Sequence, residues 1–107
     1  KIVSAGYIET DATNLGVKTL IKPMKAKEML NELMPGETNL GELVWAIKND
    51  SRTLRNGMEN IFFIRDSSNI LWVIAAYKYE DGWHFAANEI NGNQHIWPIN
   101  HQIFIKT

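Results

Sequence analysis

The longest apolar run in this chain is Ile70-Leu71-Trp72-Val73-Ile74-Ala75-Ala76-Tyr77-Lys78-Tyr79. Its first eight residues are all apolar or aromatic, and Val, Ile, Trp and Tyr are side chains that a pleated, buried strand favours. We predict that this run is the central strand of a sheet. Because no polar residue alternates with the apolar ones, we expect both of its faces to be covered.

Further apolar segments precede and follow this run, each separated from the next by turn residues. The other predicted strands are residues 61–65, 83–90, 95–97 and 102–106. Links as short as Ser67-Ser68-Asn69 join consecutive strands, which is typical of an antiparallel meander. Pro98 has no N–H for a strand ladder and is expected to divide the last part of the sheet.

Two helical patterns precede the sheet. Apolar residues recur at helical spacing over residues 26–34 and again over residues 40–47. Pro35-Gly36 ends the first pattern. Asn39 is the expected N-cap of the second helix, with Glu42 at the capping-box position.

The N-terminal part is rich in turn residues. We predict short strands in residues 1–8 and 17–21, separated by a loop over residues 10–16. Pro23 is expected to open the first helix, where its missing N–H would be unpaired in any case.

These elements predict a single α+β domain spanning residues 1–107. We expect two short amphipathic helices packed on one face of a four- to five-stranded antiparallel sheet. Each helix has a stripe of apolar residues along one side, and so short a helix is not stable in water unless that stripe is buried. The opposite face then needs a second cover. The candidates are the N-terminal segment, a second copy of the chain, or a protein partner.

Composition narrows the classes of function. The net charge is −1, so nucleic acid is not the expected partner, and the longest apolar run is too short to cross a membrane. The chain has no cysteine, and the spacing of His84, His95 and His101 matches no zinc motif. We expect no metal and no cofactor. A cytoplasmic domain is the expectation, with a processed secreted protein as the alternative.

The expected activity is binding rather than catalysis, because the sequence contains no nucleophile elbow and no phosphate-binding glycine loop. We expect a small module that binds another macromolecule, either a protein partner or a second copy of itself. Trp45 lies off the apolar stripe of its helix, and Lys48, Arg52 and Arg55 follow it closely. The predicted binding surface is therefore Trp45, Lys48, Arg52 and Arg55.

The alternative is a small-ligand-binding or hydrolytic domain with an aromatic-lined pocket on the sheet. Its predicted lining is Tyr77, Trp83 and His84, with His84 as the acid or base. The order of the elements, with helices first and then a long antiparallel sheet containing the Asp81-Gly82-Trp83 hairpin, resembles the nuclear-transport-factor-like domains. That resemblance implies a pocket enclosed between helices and a bent sheet, although the long opening helix of those domains is missing.

Overall fold

The computed structural model describes residues 11–106, so the strand predicted in residues 1–8 lies outside the described residues. The described elements, in chain order, are β1 (Gly16–Thr19), β2 (Met24–Lys25), α1 (Ala26–Leu33), α2 (Leu40–Asn49), β3 (Asn60–Arg65), β4 (Leu71–Tyr79), β5 (Gly82–Glu89), β6 (Ile96–Trp97) and β7 (Gln102–Ile105). The architecture is α+β, as predicted. Pro23 precedes β2 rather than opening α1, so that expectation is wrong.

Five of these strands form one sheet in the order β1-β7-β3-β4-β5. All neighbours are antiparallel except β3 and β7, which are parallel, so the sheet is mixed and not a pure meander. The middle strand is β3 rather than β4. After β5 the chain crosses one face of the sheet through β6, which pairs with β2, and β7 then returns between β1 and β3.

The two helices lie on opposite faces of the sheet, which corrects the expectation that both cover one face. One core cluster joins α2 to Phe62, Ile74 and Phe104. The other joins α1, β2 and β6 to the alternate residues Ile61 and Val73. Since successive side chains of a strand point to opposite faces, residues 60–64 of β3 and 73–76 of β4 are covered on both faces by the chain itself.

The connection between the helices explains how they reach opposite faces. The backbone N–H of Thr38 donates to the carbonyl of Phe63 at 2.9 Å, so the connection pairs with β3 before α2 begins. Asn39 then caps α2 as predicted. Its Oδ1 accepts from the N–H of Glu42 at 2.8 Å, and Oε1 of Glu42 accepts from the N–H of Asn39 at 2.9 Å.

The turn after α1 lies against the C-terminal strand. The N–H of Lys106 donates to the carbonyl of Pro35 at 2.7 Å. Gly36 has a φ of 70°, and a Cβ at this position would overlap the carbonyl oxygen of Lys106. This close approach of two backbone segments therefore requires glycine.

One polar side chain is completely buried where β3 begins. The Oδ1 of Asn60 accepts from the N–H of Leu54 at 2.8 Å and from Nε2 of Gln102 at 2.7 Å. Its Nδ2 donates to the carbonyls of Leu54 and Ala76, both at 3.0 Å. All four contacts are made, so this amide joins the loop before β3 to both neighbouring strands.

Candidate functional site

A groove of about 640 Å³ lies on the α1 face of the sheet, over the half formed by β4 and β5. Its floor consists of Ala75, Tyr77, Tyr79, Ala86 and Asn88. Ala75 and Ala86 are directly opposite each other in the antiparallel pair. Because both side chains are single methyl groups, they leave a hollow that α1 does not fill.

The far wall of the groove comes from β6 and the turn before it. The wall residues are Asn93, Gln94, His95 and Trp97, with Glu59 at one end. The ring of His95 packs edge-on against that of Trp97, with 4.4 Å between ring centroids. Nζ of Lys25 donates to Oε1 of Gln94 at 3.1 Å, which ties the turn to β2.

Glu59 is held in place at the end of the groove. Its Oε1 accepts from the indole N–H of Trp97 at 2.6 Å, and its backbone N–H donates to Nδ1 of His101 at 2.9 Å. Trp97 is only 2% exposed, so this hydrogen bond fixes the carboxylate to the core. The second oxygen of Glu59 has no hydrogen bond within the described residues and is available to a ligand.

An aromatic cluster forms the other end of the floor. Tyr77 and His84 are cross-strand neighbours whose rings stack with centroids 5.5 Å apart. Tyr79 meets Tyr77 edge-on at 5.5 Å and His84 at 5.6 Å. Nε2 of His84 lies 2.8 Å from Oδ1 of Asp81, and this hydrogen bond holds the pKa of Asp81 below its usual value.

Several polar groups around the groove make no hydrogen bond within residues 11–106. These groups are the hydroxyls of Tyr77 and Tyr79, the side-chain amide of Asn88, and the NH₂ groups of Asn93 and Gln94. They lie along the groove, from Tyr79 at one end of β4 to Asn88, which pairs with Val73 about 20 Å farther along the strand, and they include both donors and acceptors. The groove can therefore bind a polar molecule without breaking a contact of the protein.

The structure divides the predicted binding surface of Trp45, Lys48, Arg52 and Arg55. Trp45 and Arg52 line one depression of about 240 Å³, while Arg55 lies over the ring of Trp83 at 5.8 Å. Trp45 is half-buried against the core rather than fully exposed, and Lys48 is exposed near the end of α2.

The guanidinium of Arg52 is hydrogen-bonded within its own loop. Its Nε and Nη2 donate to the two oxygens of Asp50 at 3.0 and 2.7 Å. These hydrogen bonds hold the pKa of Asp50 below its usual value, although burial acts in the opposite direction, and they raise the pKa of Arg52.

The structure also divides the alternative pocket of Tyr77, Trp83 and His84. Tyr77 lines the groove and His84 supports it, but Trp83 points to the opposite face and packs beside the α2 cluster. The reason is the period of two along β5, which separates Trp83 from its neighbour His84. The opposite placement of the helices also means that they do not enclose a single pocket against the sheet.

Sequence reasoning missed Glu59, Asn88 and the amides of the turn before β6. A signal for Asn88 is present, because His84, Ala86 and Asn88 share one face of β5 by the period of two. Asn91-Gly92-Asn93 indicated only a turn, and His95 was predicted as the start of a strand. Glu59 carried no signal, since β6 reaches it from 38 residues away in sequence.

Comparisons with protein-family models, with curated proteins and with solved structures each find no match for this chain. Among residues 11–106, no three His, Asp or Glu side chains are placed to hold a metal ion. Of the helices in the same range, none has both the length and the apolarity that crossing a membrane requires.

Proposed function

We propose that this domain is a non-enzymatic binding module and that the groove over β4 and β5 is its ligand site. The observation that carries this proposal is the set of polar groups along the groove that make no hydrogen bond within residues 11–106, with the exposed ring of Tyr79 at one end. A volume of about 640 Å³ lies within the range of small-molecule sites, which is roughly 300–1,000 Å³. Floor and wall belong to packed strands and a tied turn, so the site exists before the ligand arrives.

Two features support binding over catalysis. A general base needs an oriented partner and a nucleophile within reach. The contact between His84 and Asp81 is at an exposed hairpin turn, and no Ser or Thr from the described part of the chain lines the groove. Glu59, a carboxylate in the groove, is held by the Trp97 indole, and the lining contributed by residues 11–106 contains no second acid.

A pair of adjacent alanines tests the proposal. Ala86→Leu puts a larger side chain into the floor, whereas Ala87→Leu is the matched control because Ala87 is exposed on the other face of β5. A library of neutral, cationic and anionic fragments would be screened by NMR, observing the Trp97 indole and the Asn88 amide. We expect fragments to shift these signals in the wild type and in Ala87→Leu but not in Ala86→Leu.

Two outcomes would contradict the groove as the ligand site. The first is a library that moves no groove resonance in the wild type. The second is binding that Ala86→Leu leaves unchanged. If the largest shifts then occur at Trp45 and Arg52, the binding site is the surface beside α2.

A protein partner is the second candidate, and the exposed isoleucines favour it. Ile21 is 90% exposed, Ile96 53% and Ile99 47%, and they lie on two segments that pair with each other through β2 and β6. Ile21→Ser should leave folding unchanged and weaken self-association if this surface joins two copies. Sedimentation equilibrium of the wild type and the variant measures that difference, and a monomeric wild type would remove the homodimer.

A further inference from the structure

Among residues 11–106, the lining of the groove contains one acidic side chain and few positive charges. Glu59 is its carboxylate, and the nearest lysine, Lys25, already donates to Gln94. Ligands with phosphate groups, single-stranded nucleic acid included, need several unengaged cations. This arrangement therefore disfavours nucleotides and other anions and leaves uncharged and cationic molecules as candidates.

Tyr79 presents an aromatic surface that is fixed before binding. Its side chain is 56% exposed, yet the ring is held by Tyr77 and His84 and by the backbone of Gly57. A Cβ on Gly57 would come within 2.8 Å of Cε1 of Tyr79, so only glycine allows this contact without a shift. Because the Tyr79 ring is already held in place, it would lose little further side-chain entropy when a ligand stacks on it.

The polar groups along the groove suit the hydroxyl groups of sugar rings. A sugar hydroxyl both donates and accepts, and the free groups of Asn88, Asn93 and Gln94 offer amide donors and a carbonyl acceptor. The second oxygen of Glu59 adds a charged acceptor, and hydrogen bonds to an ionised group are the stronger ones. A pyranose also has an apolar C–H face that can lie on a tyrosine ring.

The aromatic arrangement argues against a quaternary ammonium ligand. Such a cation needs several ring faces that converge on it. Trp97 is 2% exposed and cannot offer its face, and Tyr77 and Tyr79 touch edge-to-face at 5.5 Å with no gap between them. The exposed ring of Tyr79 can still stack against a flat face of a ligand.

We propose that the groove binds a short neutral oligosaccharide, with one sugar ring stacked on Tyr79 and the other rings hydrogen-bonded by Glu59, Gln94 and Asn88 along the groove. This inference rests on the proposed function and specifies its ligand class. The probes are methyl β-glucopyranoside, methyl β-galactopyranoside, N-acetylglucosamine, cellotetraose and chitotetraose, with choline and adenosine as the competing classes.

Each probe would be titrated into ¹⁵N-labelled protein, following the Trp97 indole and the side-chain amides of Asn88, Asn93 and Gln94. We expect at least one sugar to shift these signals, and a tetrasaccharide to bind more tightly than its monosaccharide. Tyr79→Ala should weaken that binding about tenfold or more, while Tyr79→Phe, which keeps the ring, should stay within about threefold. Thermal melts check that both variants remain folded.

The outcomes separate the ligand class from the groove itself. Shifts of the groove signals with choline or adenosine and none with the sugars would overturn the sugar assignment while keeping the groove as the site. Sugar binding that survives both Tyr79→Ala and Ala86→Leu would overturn the sugar assignment and the groove together. An absence of sugar-induced shifts in the folded wild type also overturns the sugar assignment.

Discussion

Asp50 and Arg52 form a charged pair whose acidic member is almost fully buried. The Asp50 side chain is 7% exposed and accepts both the guanidinium of Arg52 and its backbone N–H. The guanidinium carbon also lies 6.0 Å from the ring centroid of Phe104. Because Arg52 is held at two points, detaching it for a partner would leave the Asp50 carboxylate buried and unpaired, which is costly.

Asp50→Asn should lower the free energy of unfolding at neutral pH, and the loss should shrink in acid. The pKa of Asp50 is below its usual value in the folded protein, chiefly because of the Arg52 side chain. Its contribution is therefore complete above the unfolded-state pKa of about 3.9 and disappears as the pH falls through the lower folded-state pKa. Urea denaturation of both proteins from neutral pH into acid measures the difference.

Arg52→Gln is the companion variant for that measurement. It removes the main cause of the lowered pKa and should also cost most at neutral pH. A penalty for Asp50→Asn that stays constant at every pH would mean that the carboxylate charge contributes nothing to folding.

At the scale of elements, the two helices contribute unequally to the core. Leu43 of α2 is completely buried, whereas Leu30 of α1 is only half-buried at the edge of its cluster. The stripe of α2 covers the centre of one face of the sheet. On the other face α1 shares this role with β2 and β6, whose Met24 and Trp97 are both buried.

Leu43→Ala should therefore destabilise the domain by about 2–5 kcal/mol, the usual cost of a large-to-small change in a core. Leu30→Ala should cost less than half as much, because part of that side chain is already in water. Chemical denaturation of the two variants gives the comparison. Equal losses would show that the α1 stripe is as deeply packed as that of α2.

Local signals predicted most elements, and non-local pairing explains what was missed. The capping box at Asn39, the helical stripes and the strand at residues 70–79 each depend on residues close in sequence. The parallel pairing of β3 with β7 joins Asn60 to Gln102, and no pattern within either strand encodes it. The groove follows the same rule, because Tyr77 lies in a visible strand whereas Glu59 becomes a site residue only through Trp97.

At the scale of the whole molecule, β7 connects regions that are distant in sequence. It lies between β1 and β3, and the residue after it, Lys106, reaches the turn at Pro35-Gly36. Both ends of the described chain therefore depend on this one strand. The contact at Gly36 is the point where the α1 turn, β7 and the sheet meet.

Gly36→Ala tests that contact, with Gly92→Ala as the matched control. Both glycines have a φ between 70° and 77°, but a Cβ would overlap Lys106 at Gly36, whereas no atom of the described residues lies within 4 Å of one at Gly92. Gly92→Ala should cost about 1–2 kcal/mol for the left-handed backbone alone. Gly36→Ala should cost clearly more in urea denaturation, and similar losses would mean that the Lys106 backbone moves aside without penalty.

The buried amide of Asn60 also excludes alternative alignments of β3 against its neighbouring strands. Strands that are apolar on both faces carry no inside–outside code, so β3 could slide along β4 and still bury apolar side chains. In any shifted alignment Asn60 would lose Ala76, Gln102 or Leu54 as partners, and each unpaired buried group costs about 1–3 kcal/mol. One buried polar residue thus restricts β3 and β4 to a single alignment.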